Sequence, residues 1–519
     1  MPTTTILWAD DEIDLLKPQI LFLKEKGYEV VTVSNGIDAI DEFQKQIFDV
    51  VLLDESMPGL SGLQTLTKMK ELNKHTPIVM ITKNEEDNLM EEAIGSQIAD
   101  YLIKPVKPQQ ILSSLKKIIN KEDLVSGKTM TDYRSKFQEL FMRLQNKMDV
   151  NEWKALYKEL VFWEIELSKS SQKEMNEVFD MQKREANTEF NKFVIKNYKQ
   201  WINSEPREYY PLLSHQVLRT KLPDFMKNDK PTFLILIDNL RFDQWKAIEP
   251  FFLPHFRVEE EDTFFSLLPT VTQYSRNALF AGMTPLQIEK TYPDKWLNDN
   301  EDGGKNMSEP FFLEQFLKKT FHEPIKHQYI KITSHKSGDE LEENILNCLN
   351  NKLTVIVYNF VDMLSHARTE MEVLKELAND ESAYRSLTVS WFEHSPLLNA
   401  IKKIADKDVQ ILLTTDHGSV RVNSPSKCIG DKQTSTNIRY KVGKNLNFED
   451  KDVFSTRNPE ELQLPKSNLS SSYIFAKEDN YLVYPNNYNH FVQFFKDTFQ
   501  HGGISLEEMI VPVIKLRSK

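Results

Sequence analysis

Acidic and histidine side chains follow an apolar run in the C-terminal part of the chain. Residues 409–415 are mostly β-branched or apolar, and they lead directly into Asp416, His417 and Gly418. Such runs are typical of buried strands, and an open α/β sheet binds its ligands at the carboxyl ends of strands. A neighbouring carboxylate and imidazole at this position predict a divalent metal site, while a turn capped by the aspartate is the alternative.

The same residue types recur at other places and extend this candidate site. In chain order the candidate ligands are Asp238, Thr272, Asp362, His366, Asp416, His417 and His501. Asp362 and His366 lie four residues apart, so a helix beginning there would present both on one face. The two cysteines, Cys348 and Cys428, are far apart in the sequence and predict no disulfide framework or thiolate cluster. Carboxylates and imidazoles without thiolates favour Zn²⁺ or Mn²⁺.

A second group of polar residues lies within the first 120 residues. Predicted strands at 6–8, 28–33, 50–53, 78–81 and 101–103 alternate with predicted helices near 14–26, 36–46, 62–73, 86–95 and 108–120. This alternation predicts a doubly wound parallel sheet of five strands. The polar residues at the strand ends are Asp10, Asp11, Asp54, Thr82 and Lys104. Converging carboxylates predict Mg²⁺ at this edge, with ordinary helix capping as the alternative.

Length and composition indicate the number of domains and the class of protein. A chain of 519 residues is too long for one core, and we predict three domains, at 1–120, 121–210 and 211–519. The middle segment carries apolar stripes at helical spacing and is predicted to be a bundle of three amphipathic helices. A net charge of −12 argues against binding to duplex DNA. Because no signal peptide or membrane span is recognisable and cysteine is rare, we expect a cytoplasmic protein.

The N-terminal pattern resembles the receiver domain of two-component response regulators. The resemblance rests on the acidic pair, the central aspartate followed by Met57 and Pro58, and the threonine and Lys–Pro at later strand ends. It implies that Asp54 accepts a phosphoryl group, that Asp10, Asp11 and Asp54 hold Mg²⁺, and that Thr82 and Lys104 contact the phosphoryl group. It further implies a cis peptide between Lys104 and Pro105, a rotamer switch at Tyr101 and a cognate histidine kinase. Phosphorylation would promote a homodimer through segments 86–95 and 101–119.

The order of candidate ligands in the C-terminal part resembles the alkaline phosphatase superfamily, in particular its PglZ-type branch. The resemblance implies an α/β domain with two zinc ions. One ion would be held by Asp362, His366 and His501, and the other by Asp238, Asp416, His417 and the hydroxyl of Thr272. Thr272 would be the nucleophile, although Thr270 stands two residues earlier and is the alternative.

Arginines near these motifs are candidates for phosphate binding. Arg276 and Arg439 are the preferred ones, because a guanidinium can bind phosphate bidentately. Arg439 belongs to a basic run at 421–444, for which a solvated loop is the alternative to a polyanion site.

The whole chain resembles PorX-type response regulators, a family tied to type IX secretion. This resemblance implies a phosphorylation-controlled, zinc-dependent phosphodiesterase acting on nucleotide or oligonucleotide substrates. The alternatives are a metal-stabilised regulator that binds a protein partner without catalysis, and a phosphomonoesterase or phosphomutase.

Overall fold

The computed structural model describes residues 4–73, 76–83, 98–119, 121–169, 173–321, 323–378, 380–431, 434–466, 468 and 470–519. The chain forms two compact units, Met1–Arg134 and Ser135–Lys519, and each is described by itself. Among the described helices, none is both long enough and apolar enough to cross a bilayer.

The first unit is an α/β layer structure around one parallel sheet. Its strands are β1 (Thr5–Ala9), β2 (Glu29–Val33), β3 (Val50–Asp54), β4 (Ile78–Thr82) and β5 (Asp100–Ile103). Its helices are α1 (Lys17–Glu25), after a 3₁₀ turn at Ile13–Leu16, α2 (Gly36–Lys45), α3 (Gly62–Leu72) and α4 (Pro108–Ile119). The sheet order is β2-β1-β3-β4-β5 with every pair parallel. This confirms the predicted doubly wound fold, while the predicted helix at 86–95 lies outside the described residues.

The central strand β3 explains why this sheet is covered on both faces. Val51 and Leu53 are buried in one apolar cluster, and Val50 and Leu52 are buried in another. Side chains of a strand alternate between the two faces, so a run of four buried apolar residues requires a helical layer on each side.

Three helices follow, α5 (Lys121–Leu144), α6 (Val150–Ser168) and α7 (Lys173–Ile202). Helices α6 and α7 pack together through Trp153 and Phe190, whose ring centroids are 5.3 Å apart. Helix α7 also packs on the second unit's sheet, since Phe190 and Trp201 each contact Phe265 at centroid distances of 5.7 and 5.8 Å. Helices α6 and α7 thus share a core with the sheet that carries the candidate metal ligands. The domain boundary predicted at 210 stays a prediction.

The remainder of the second unit is a large α/β structure. Its helices are α8 (Ser214–Phe225), α9 (Phe242–Phe252), α10 (Thr272–Ala281), α11 (Pro285–Thr291), α12 (Glu309–Thr320), α13 (His335–Asn344), α14 (Phe360–Glu370), α15 (Glu372–Leu377), α16 (Glu381–Glu393), α17 (Pro396–Ile404), α18 (Tyr488–Phe495) and α19 (Leu506–Met509). Short 3₁₀ segments occur at Pro293–Lys295, Ile345–Asn350 and Pro459–Leu462.

The strands of this unit form one six-stranded sheet and several small ones. The main sheet has the order β7 (Phe256–Phe265), β19 (Ile510–Ser518), β10 (Gln410–Thr414), β6 (Thr232–Ile237), β9 (Leu353–Tyr358) and β8 (His327–Ile332). The smaller sheets contain β11 (Val420–Arg421), β12 (Ser424–Ile429), β13 (Tyr440–Gly443), β14 (Asn447–Phe448), β15 (Val453–Thr456), β16 (Ser472–Ala476), β17 (Asn480–Val483) and β18 (Phe499–Gln500).

Strand direction in the main sheet brings several chain segments to one edge. Strands β10, β6, β9 and β8 are parallel, whereas β19 is antiparallel to both β10 and β7. The carboxyl ends of β10, β6, β9 and β7 and the amino end of β19 therefore lie along the same edge. This confirms an α/β fold, with the edge where ligands are expected.

Candidate metal centre

Each predicted ligand comes from a segment that leaves this common edge. Asp238 directly follows β6, and Asp416 and His417 follow β10. Asp362 and His366 lie in the first two turns of α14, immediately after β9, and the intervening spacing of four puts them on one helical face. The fold thus brings together residues that are up to 263 positions apart in sequence, from Asp238 to His501.

The first ligand group consists of Asp362, His366 and His501, whose ligand atoms lie within 4.8 Å of one another. Asp362 Oδ2 is 3.5 Å from His366 Nε2, and Asp362 Oδ1 is 3.4 Å from His501 Nε2. The side chain of His366 is 64% exposed, so this group lies at the open side of the site.

The second ligand group consists of Asp238, Asp416 and His417, again with ligand atoms within 4.8 Å. His417 Nε2 is 3.8 Å from a carboxylate oxygen of each aspartate. All three side chains are buried. These are the two groups that the family resemblance implied, and the structure separates the residues in the same way.

The two groups adjoin, because the rings of His417 and His501 stack with centroids 4.3 Å apart. Each ring is fixed by a backbone carbonyl at Nδ1, that of Gly418 at 3.1 Å for His417 and that of Thr270 at 3.2 Å for His501. In a neutral imidazole, an Nδ1–H that donates to a carbonyl leaves Nε2 free as an acceptor, and both Nε2 atoms face carboxylates. This is the tautomer that a metal ligand requires.

The electrostatics of the buried group favour the binding of a cation. Burial raises the pKa of Asp238 well above its usual range, since Arg276 only partly offsets the effect of burial and of the neighbouring carboxylates. Burial lowers the pKa of His417 to about 4, against the opposing effect of Asp416. The imidazole is therefore neutral at physiological pH and cannot itself balance the aspartates.

The donor atoms fit divalent metal ions. Asp416 Oδ1 accepts hydrogen bonds from the backbone N–H groups of Asn239 and His417, at 3.3 and 3.1 Å. Asp416 Oδ2 is buried and has no hydrogen-bond partner. A buried carboxylate oxygen without a donor is costly unless a cation meets it. Oxygen and neutral imidazole donors in these numbers suit zinc-like ions.

Thr272 and Thr270 occupy different environments. Thr272 is the first residue of α10, and its Oγ1 lies 3.1 Å from His417 Nε2 and 3.4 Å from Asp238 Oδ1. The Oγ1 of Thr270 is fully buried, where it donates to the carbonyl of Gly503 and accepts from the N–H of Gly502, both at 3.0 Å. Of these two threonines, Thr272 is the one whose hydroxyl lies at the second ligand group.

Arg276 lies on the buried side of the second ligand group. Its Nη1 is 2.8 Å from Asp238 Oδ2, and its Nε donates to Glu309 Oε1 at 2.7 Å. The guanidinium is buried and holds the Asp238 carboxylate in place. Direct phosphate contact by Arg276 stays a prediction.

The predicted phosphate contact by Arg439 is wrong. Its side chain is 0% exposed and bonds to both carboxylate oxygens of Glu508, at 2.6 and 3.2 Å. Other described members of the basic run are also engaged, since Arg421 pairs with Asp497 at 2.8 Å and Lys441 is buried. Burial lowers the pKa of Lys441 to about 8. Arg421, Arg439 and Lys441 are therefore engaged within the fold.

Two residues at the site carry no signal in the sequence. Asn239 has a left-handed backbone conformation with φ of 63°. Its Nδ2 reaches Asp362 Oδ1 at 3.5 Å, while its N–H bonds Asp416, so it links both ligand groups. Glu309 is buried and accepts from Arg276 and Lys331. Its partners lie 33 and 22 positions away, a separation that sequence spacing cannot reveal.

The phosphoacceptor candidates of the first unit also converge. Lys104 Nζ lies 2.9 Å from Asp10 Oδ2 and 3.0 Å from Asp54 Oδ2. The ligand atoms of Asp10, Asp11 and Glu12 lie within 4.8 Å of one another, and oxygen donors of this kind suit Mg²⁺. The Lys104–Pro105 peptide is cis, as predicted.

Burial controls the protonation of Asp54 in the metal-free receiver. Burial raises its pKa to about 6, against Lys104 and with a further contribution from Asp10. Because the pKa of Asp54 is higher in the folded state, its protonation stabilises the folded receiver. This stabilisation is fully present below the pKa of the unfolded state, near 4, and is lost as pH rises through about 6. Metal-free Asp54→Asn should thus be more stable than wild type at pH 7.5, by about 1 to 3 kcal/mol.

Chemical denaturation in the presence of a chelator checks this prediction. The difference in unfolding free energy between Asp54→Asn and the wild type should be roughly half as large at pH 5 as at pH 7.5. The exposed Asp14→Asn serves as the matched control and should leave stability unchanged. A wild type that is as stable as Asp54→Asn at pH 7.5, or more stable, would contradict this prediction.

Three family models match the chain. The model for the BREX system PglZ alkaline phosphatase-like domain matches residues 217–516. The model for the PorX response regulator linker domain matches residues 123–202, and the response regulator receiver domain model matches residues 6–116.

Curated relatives and solved structures match the receiver segment. The transcriptional regulatory protein SrrA of Staphylococcus aureus is 30% identical over 116 residues, which are 22% of this chain and 48% of that protein. The chain thus spans about half the length of the curated relatives it matches. A structure of the chemotaxis protein CheY4 of Vibrio cholerae is 29% identical, with a TM-score of 0.22, over 22% of this chain and 98% of that one. A receiver domain from Clostridium thermocellum is also 29% identical, with a TM-score of 0.22, over 23% and 98%.

Proposed function

Because the chain belongs to the PglZ alkaline phosphatase-like domain family, we propose that its second unit hydrolyses phosphodiesters with the help of two divalent metal ions. The observation that carries this proposal is the pairing of two adjoining carboxylate–imidazole groups with a threonine hydroxyl 3.1 Å from one imidazole. Together with the receiver and linker matches, the family makes the chain a two-component regulator with an alkaline phosphatase-like output, in the PorX-type arrangement.

The two ligand groups would each hold one ion, and zinc is the proposed metal. The first ion would bind Asp362, His366 and His501, and the second Asp238, Asp416, His417 and Thr272. When bound, such ions supply positive charge that lowers the pKa of a coordinated hydroxyl and stabilises charge on the phosphate oxygens.

Thr272 is the proposed nucleophile. Its oxygen would attack phosphorus, the alcohol of the diester would leave, and water would then hydrolyse the phosphothreonine ester. Thr272 opens α10, a helix of ten residues, so the first N–H groups of that helix and its dipole favour a phosphate at this position. Arg276 keeps Asp238 oriented toward the hydroxyl from the buried side.

The receiver is the proposed switch. A cognate sensor kinase would phosphorylate Asp54 with Mg²⁺ held by Asp10 and Asp11, because the metal offsets the repulsion between these carboxylates and the incoming phosphate. We further propose that phosphorylation promotes a homodimer. The face predicted for it includes segment 86–95, which lies outside the described residues.

The proposed substrate and pathway follow from two resemblances. Nucleotide or oligonucleotide diesters are proposed because the ligand order is similar to that of nucleotide phosphodiesterases. Control of type IX secretion, with a regulatory protein partner, is proposed because PorX-type regulators share the three-part arrangement.

Turnover of two chromogenic esters tests the proposed function. The zinc-loaded protein should hydrolyse bis(4-nitrophenyl) phosphate faster than 4-nitrophenyl phosphate, measured as kcat/KM at matched metal content. A preference for the monoester would favour a phosphomonoesterase. No turnover of either ester by the metal-replete protein would favour the metal-stabilised binding regulator.

A further inference from the structure

A buried network of charged side chains connects the linker helices to the loops that carry the candidate metal ligands. Its members are Glu164, Lys183, Arg241, Asp243, Glu381, Arg385 and Glu507, each with a side chain less than a quarter exposed. Glu164 and Lys183 belong to the linker segment 123–202, and the others belong to segment 217–516. The network therefore crosses from one part of the second unit to the other.

One branch of the network reaches the turn after His417. Lys183 Nζ lies 2.8 Å from Glu164 Oε2 and 3.0 Å from Glu507 Oε1. The backbone carbonyl of Glu507 packs so closely on Gly418 that a Cβ atom there would lie 2.1 Å from it. Since Gly418 directly follows the ligand His417, the position of Glu507 constrains the position of that imidazole.

Asn187, one turn further along α7, strengthens this branch. Its Nδ2 donates to Glu507 Oε2 at 3.1 Å, and its Oδ1 accepts from the N–H of Leu506 at 2.8 Å. Helix α7 thus holds both the side chain and the backbone at the start of α19.

The other branch reaches the loop after Asp238. Glu164 also pairs with Arg385, whose Nη1 lies 3.1 Å from Asp243 Oδ2. Asp243 in turn binds Arg241 through Nε at 2.9 Å and Nη2 at 2.6 Å. Arg241 lies three residues after the ligand Asp238. Glu164 is therefore connected to both loops of the second ligand group.

The network is a poor source of stability by itself. Burial disfavours a charged Lys183, but Glu164 and Glu507 outweigh that effect and raise its pKa well above the usual range. Buried ion pairs are often no more stabilising than apolar residues of similar size. The linker helices already have apolar contacts with the sheet through Phe190 and Trp201. The charged pairs instead fix the positions of the helices and loops that they join.

We propose that Lys183 and Glu164 are positioning residues of the metal centre, through which helices α6 and α7 set the geometry of the loops that carry Asp238 and His417. This inference rests on the proposed function, because it gives the linker helices a part in catalysis at that same site. Any movement of α6 against α7 would disturb both branches at once.

Replacement of Lys183 by methionine, which keeps length but removes charge, tests the inference. Lys183→Met should lower kcat for bis(4-nitrophenyl) phosphate about 10-fold and change KM less than about 2-fold. It should also weaken zinc binding about 10-fold, measured by competition with a chromophoric chelator. Lys183→Arg should restore most of both quantities. Lys192→Met is the matched control, since Lys192 pairs with the neighbouring Glu189 on the same helix and is 66% exposed.

Zinc affinity and hydrogen exchange of residues 416–419 separate this inference from the proposed function. If the wild type has no turnover, the proposed function fails, yet weaker zinc binding and faster exchange in Lys183→Met would still support the positioning role. Wild-type zinc affinity, exchange and rate in a folded Lys183→Met overturn the inference, as do equal losses in Lys192→Met. If Lys183→Met does not fold, the uncharged change Asn187→Leu, which removes two bonds to α19, decides by the same readouts.

Discussion

Replacement of Thr272 by alanine is expected to lower diester turnover by roughly three orders of magnitude or more while most of the bound zinc remains. The hydroxyl is the proposed nucleophile and lies 3.1 Å from His417 Nε2. The six carboxylate and imidazole ligands are untouched by the change, so metal affinity should fall only modestly. Turnover of bis(4-nitrophenyl) phosphate and elemental analysis, measured on the same preparation, check both parts.

Two matched variants sharpen this prediction. Thr272→Ser retains the hydroxyl and loses only the methyl that restricts its rotamer, so it should keep part of the activity. Thr270→Ala should cost far less turnover, about 10-fold, together with some stability, because Thr270 bonds the backbone of Gly502 and Gly503. A zinc-replete Thr272→Ala with wild-type turnover would remove the proposed nucleophile. Loss of turnover in Thr270→Ala alone would assign the nucleophile to Thr270 instead of Thr272.

Asp416→Asn is expected to abolish turnover and to remove about one metal ion per chain. The change preserves side-chain shape and can still accept the two backbone hydrogen bonds at Oδ1. It replaces Oδ2, which has no hydrogen-bond donor, with an amide nitrogen, which cannot coordinate a cation. The remaining ligands, Asp238, His417 and the Thr272 hydroxyl, include only one carboxylate and should not hold the ion tightly.

Histidine variants provide the comparison for this metal prediction. His366→Ala should release the ion of the other group, and its exposed position makes a folding defect less expected. His335→Ala is the matched control, since His335 is also exposed and pairs with an aspartate four residues away, Asp339, as His366 pairs with Asp362. Elemental analysis should give about two ions for wild type and His335→Ala, and about one for the other two variants. Two ions in Asp416→Asn and His366→Ala would mean that the metal lies elsewhere.

The sequence predicts where a residue lies in the fold wherever a local pattern determines that position. Apolar runs that end in acids predict strands, and the carboxyl ends of parallel strands meet at one edge. For that reason the sequence alone identifies the candidate ligands after β6, β9 and β10, and the candidate phosphoacceptor Asp54 at the end of β3. The same reasoning placed Lys104 at the end of β5, where its ammonium reaches Asp54.

Long-range charge pairing could not be predicted in this way. The sequence predicts that Arg439 contacts phosphate, yet its partner Glu508 lies 69 positions away and the two side chains are buried together. Arg385 and Glu164 are 221 positions apart, and nothing in either neighbourhood indicates that they meet. A guanidinium has the same sequence signature whether it binds a ligand or a buried carboxylate. Only the packing of helices on the sheet decides between the two.

Zinc titration of the metal-free wild type tests the central claim most directly. Metal-free protein is prepared with a chelator, zinc is added stepwise, and turnover of bis(4-nitrophenyl) phosphate is followed against the number of ions bound per chain. The two-metal account predicts no turnover at zero ions, little after the first, and full activity as the second binds. Full turnover by the metal-free protein, or a plateau after one ion with no effect of the second, would contradict it.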